Sequence, residues 1–67
     1  MYVLKIKGIA RIPDYVQIRG DDFTLLAYFR LDRPDKALSR LKLDTKKAEI
    51  LEQLRAMPYG KMIKTDW

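Results

Sequence analysis

Among its 67 residues the chain has no cysteine and no histidine. Without cysteine no disulfide can staple so small a domain, and no thiolate is available as a nucleophile. Without histidine there is no side chain that ordinarily titrates near neutrality and could serve as a general base. Together the two absences remove the usual ligands of a structural zinc. Glycine is scarce, and Gly8, Gly20 and Gly60 stand alone, so neither a P-loop nor a dinucleotide fingerprint is present. No apolar run approaches the roughly 18 residues of a membrane-spanning helix. Asp21-Asp22 is the one adjacent carboxylate pair. Neighbouring side chains diverge, so the pair reads as a turn rather than a metal or acid–base site. These absences argue against an enzyme, a metal site and a cofactor.

What the chain does have is positive charge. Fourteen lysines and arginines face nine acidic residues, for a net charge of +5. A basic balance favours nucleic acid or an acidic protein as partner. The length fits one domain, residues 1–67, near the lower limit of what folds alone. At this size burial and chain-ordering terms nearly cancel, which makes a homodimer a reasonable expectation. The start Met-Tyr-Val-Leu-Lys-Ile-Lys lacks the order of a signal peptide. A chain without cysteine also suits the cytoplasm, so a cytoplasmic location is expected.

The first half has the period of a sheet. Tyr2, Leu4 and Ile6 form an apolar set alternating with Val3, Lys5 and Lys7, which predicts a strand up to a bend at Gly8. Pro13-Asp14 ends that run, and Tyr15–Arg19 predicts a second strand with Val16 and Ile18 on one face. Gly20-Asp21-Asp22 signals a tight turn. A third strand is expected from Phe23 to Leu31, with Phe23, Leu25, Ala27, Phe29 and Leu31 inward. Its outward side, Thr24, Leu26, Tyr28 and Arg30, is partly apolar, which predicts that something covers it.

Beyond Leu31 the period becomes helical. Asp32 is expected to cap a first helix, with Pro34 in its opening turn and Ala37, Leu38 and Leu41 as its apolar stripe. Leu43-Asp44-Thr45 predicts a break and a new cap. A second helix then runs to Ala56 with Ala48, Leu51 and Leu54 inward and Ile50 and Met57 on its flank. Pairs at spacing three, Lys46 with Glu49 and Glu52 with Arg55, would support it. Pro58-Tyr59-Gly60 stops it, and the tail from Lys61 offers a short edge strand guarded by lysines. The fold expected is α+β: a small three-stranded, mostly antiparallel sheet followed by two helices, with a short C-terminal edge strand.

Two candidate surfaces emerge. From Arg33 to Lys47 six positive side chains oppose two aspartates. Arg33, Lys36 and Arg40 recur at helical spacing and could meet an acidic partner. Leu26, Tyr28 and Trp67 are candidate hydrophobic anchors, although closing the core is the favoured role for Trp67. These six residues define the favoured reading, a non-catalytic accessory or regulatory subunit that binds a protein. The alternative is nucleic-acid binding through Arg33, Lys36 and Arg40 together with a sheet face carrying Tyr15, Arg19, Tyr28 and Arg30. That platform requires both helices to lie on the opposite face.

Overall fold

The computed structural model describes residues 1–67. Strand β1 spans Tyr2–Ile6, β2 Tyr15–Arg19 and β3 Leu25–Arg30; helix α1 covers Asp35–Arg40, α2 Lys47–Ala56, and β4 Met62–Lys64 closes the chain. A single 3-10 turn, Asp44–Lys46, separates the helices. The four strands form one antiparallel sheet in the order β3-β2-β1-β4. The α+β class, the two helices and the C-terminal edge strand are as the sequence predicts.

The core joins Val3, Val16, Ile18, Ala27 and Phe29 of the sheet to Leu38, Leu43, Ile50 and Leu54 of the helical half. Both helices therefore cover the same face. The phase of β1 is opposite to the one expected. Val3 and Lys5 point inward, while Tyr2, Leu4 and Ile6 face away and are only half-buried. A helix end accommodates the buried lysine. Lys5 is 4% exposed, and its Nζ donates to the Leu54 carbonyl at 2.7 Å in the last turn of α2. A cation there satisfies an orphan carbonyl and meets the negative end of the helix dipole. The Tyr59 ring, 4.4 Å from the same ammonium, shields it further.

The third strand departs from a simple alternation. Ile18 pairs with Ala27, but Arg19 pairs with Leu25, so Leu26 is the extra residue of a bulge. A bulge reverses the phase before it. Leu25 and Phe23, expected inside, are instead 46% and 54% exposed.

The helix ends also differ in detail from expectation. Asp32 does not cap α1; both its oxygens accept from Arg30, at 3.0 and 2.9 Å. Pro34 occupies the N-cap, and neither helix has a side-chain cap. At the other end of α1 the Leu43 N–H reaches the Leu38 carbonyl and the Lys42 N–H that of Ser39. That is a Schellman closure with Leu38 and Leu43 in apolar contact, and Lys42 takes the left-handed position at φ 59°. In α2 Ile50 rather than Ala48 reaches the core, and Ala48 is exposed. The expected pairs within α2 are replaced by an ion pair between Asp35 and Lys47, which links the two helices.

Candidate binding surfaces

Because α1 and α2 share one face, the other face of the sheet is left without cover from this chain. Its side chains follow from the register. One row runs Lys64, Tyr2, Arg19, Leu25; the next Met62, Leu4, Gln17, Tyr28; the third Ile6, Tyr15, Arg30. Tyr28 is 51% exposed and Met62 43%. The Tyr15 and Tyr28 rings stand 4.9 Å apart, tilted by 41°, as diagonal neighbours on adjacent strands. At the hairpin end Phe23 holds a left-handed φ of 66° and sets its ring 4.7 Å from Tyr2. The strand residues of this face are mostly apolar or aromatic, and none is acidic.

The cations here differ in availability. Arg30 is clasped by Asp32, a bidentate pair that raises the guanidinium pKa and holds the carboxyl below its usual range. Arg19 donates to the Phe23 carbonyl at 2.9 Å and to Gln17 Oε1 at 3.1 Å, so its charge is oriented but not neutralised. Lys64 makes no ion pair.

The face thus gathers Tyr15, Arg19, Tyr28 and Arg30 of the expected residues, with Leu26 beside them at the bulge. It does not gather the others. Trp67 packs partly against the core and donates from Nε1 to Gln53 Oε1 of α2 at 2.8 Å, so it closes the helical side instead of joining Leu26 and Tyr28. Lys36 and Arg40 are exposed on α1, in the layer across the sheet from this face. Arg33 precedes that helix, in a turn closed by its N–H on the Arg30 carbonyl. The expected three-residue helical stripe is therefore two helical residues and one turn residue. Sequence reasoning missed Tyr2, Leu4, Ile6, Leu25, Met62 and Lys64 as members of the surface. A lysine in the middle of β1 signals an outward residue, and nothing local reveals that Lys5 points inward.

Three further acids are held by local contacts. Asp22 accepts from the Thr24 N–H within the β2–β3 turn, and Asp21 lies 3.4 Å from the amino terminus. Asp14 accepts from the Gly8 N–H at 2.7 Å and from the Tyr59 hydroxyl at 2.6 Å, bonds that lower its pKa, the tyrosine's foremost. No helix is long and apolar enough to cross a membrane. No protein-family model, curated protein or solved structure matches the chain.

Proposed function

We propose that this chain is a non-catalytic, cytoplasmic accessory or regulatory subunit that binds a protein partner on the open face of its sheet. One observation carries the reading: both helices cover the same side, so a contiguous apolar and aromatic surface on the other side has no cover. Large exposed apolar patches of this kind are characteristic of interaction sites. Tyr2, Leu4, Tyr28 and Met62 would supply the buried centre, and Arg19 and Lys64 the polar rim. Since no strand residue of the face is acidic and Arg19 and Lys64 make no ion pair, an apolar surface flanked by acidic groups fits it better than a second copy of the chain.

The test is a pulldown with and without nuclease, comparing wild type with Leu4→Ser and Tyr28→Ala. Retention of a partner that survives nuclease and is lost in both variants supports the reading. Equal retention by the variants refutes it. Nucleic-acid binding is a second reading, favoured by the Tyr15–Tyr28 pair directly beside Arg30. Against it stand the neutralisation of Arg30 by Asp32 and the placement of Lys36 and Arg40 in the opposite layer. A steep fall of DNA or RNA binding with rising salt, together with its loss in Tyr28→Ala, would favour this second reading.

A further inference from the structure

The β1–β2 connection, residues 7–14, carries the two most exposed large apolar side chains of the protein, Ile9 at 76% and Ile12 at 63%. They stand on a shaped turn and not on a loose loop. The Ile12 N–H donates to the Ile9 carbonyl at 2.9 Å, and Ala10 between them has a φ of 56°. At the base a Cβ on Gly8 would lie 1.8 Å from the Ile12 carbonyl oxygen, so only glycine lets the two limbs approach. Asp14 ties the limbs together through Gly8 and fastens them to Tyr59.

Charge is arranged around this apex in a definite order. Lys7 and Arg11 are exposed, and neither makes an ion pair or a side-chain hydrogen bond. The carboxylate in this segment, Asp14, has both oxygens engaged at the base. Tyr59, exposed at 43%, sits beside it with Lys7 Nζ 6.0 Å from its ring. Ala10 and Arg11 form the corner of the turn, with Ile9 and Ile12 on either side. Two exposed apolar groups are thus interleaved with cations and backed by an amphipathic aromatic. Such a mixture suits the boundary between acyl chains and headgroups, where an arginine stem lies along apolar surface and its head reaches the phosphates.

The geometry points to this turn as a peripheral anchor to an anionic lipid surface. Ile9 and Ile12 enter the boundary between headgroups and acyl chains, and Lys7 and Arg11 meet lipid phosphates and carboxylates. The site is separate from the open sheet face. The turn is already held in shape, so little ordering opposes insertion. The net charge of +5 adds long-range attraction to the same surface.

Co-sedimentation of the full chain with phosphatidylcholine vesicles, with and without phosphatidylserine, tests this anchor. Wild type is expected to sediment with the anionic vesicles and to be released by raised salt. Each of Ile9→Ser and Ile12→Ser should lower partitioning about tenfold or more. Lys7→Gln and Arg11→Gln should lower it about fivefold each, on anionic vesicles only. Both isoleucines are exposed, so unchanged far-UV circular dichroism of the variants is expected. Wild type remaining in the supernatant overturns the proposal. So does binding that survives the double serine variant, which would reduce the contact to surface charge. Partner retention in a pulldown that depends on Ile9 and Ile12, with no vesicle binding, would assign the tip to a protein instead.

Discussion

The two faces of the sheet are built from the same strands and have opposite fates. Inside, β1 contributes one valine and one lysine, and the lysine is met by a helix carbonyl and a tyrosine ring. Outside, the same strand contributes Tyr2, Leu4 and Ile6, the more apolar set, and no element of the chain covers them. Hydrophobicity alone would place the helices on the other side. What reverses the choice is the company each set keeps. Val16, Ile18, Ala27 and Phe29 share the inner face with Val3 and Lys5, and a single cation is tolerated because α2 ends above it. The outer set shares its face with Gln17, Arg19 and Arg30, which could not be buried without partners.

The contrast can be broken most forcefully from inside. Ile18→Ala, at a fully buried site, is expected to destabilise by about 2–5 kcal/mol. Leu25→Ala, on the same strand pair but on the outer face, should cost well under half as much. Urea denaturation of both variants checks the ratio, and equal losses would mean that the outer face is not open. Lys5→Ala follows, with an expected loss of about 2–3 kcal/mol from a charged hydrogen bond and its packed stem. Lys5→Met keeps the stem and should recover part of that loss. If neither variant shifts the midpoint, the ammonium is not the element that orients β1.

Smaller effects come from the periphery. Lys42→Gly relieves a left-handed residue in the α1 closure and should stabilise by about 1 kcal/mol, read as a raised thermal midpoint. The smallest is a pH effect at the β1–β2 turn. Asp14 has its pKa held below the ordinary 3.8 by Tyr59 and Gly8. Its contribution is therefore complete above that value and is lost as pH falls through the lowered pKa. In Tyr59→Phe the main cause is removed, so the acid-limb loss of stability should shrink and be complete closer to 3.8. A thermal melt series on the acid side against wild type reads this directly.

Several features could be read from residue order. Alternation placed β2 and most of β3, the turn chemistry of Gly20-Asp21-Asp22 placed the hairpin, and the change of period at Leu31 placed the helices. Leu43-Asp44-Thr45 correctly divided α1 from α2. The site was legible only in part. Tyr15, Arg19, Tyr28 and Arg30 follow from alternation in β2 and β3, whereas Leu25 was hidden by the bulge at Leu26. Asp32 has the identity and position of a cap, yet Arg30, two residues back on an extended strand, offers it a bidentate partner. Trp67 found its partner in Gln53, a contact between segments that local patterns cannot couple.

By itself, then, the sequence determined the kinds of element, their order and the absence of thiol and imidazole chemistry. Those properties depend on local periodicity, on backbone preferences of a few residues and on side-chain identity. Only the tertiary structure decided which side of the sheet the helices cover, and hence which residues form a surface. A period of two separates a strand's side chains into two sets without saying which is inside. That decision rested on contacts distant in sequence. Val16, Ile18, Ala27 and Phe29 meet Leu38, Ile50 and Leu54, and Lys5 is accommodated among them because its ammonium reaches the Leu54 carbonyl, 49 residues away.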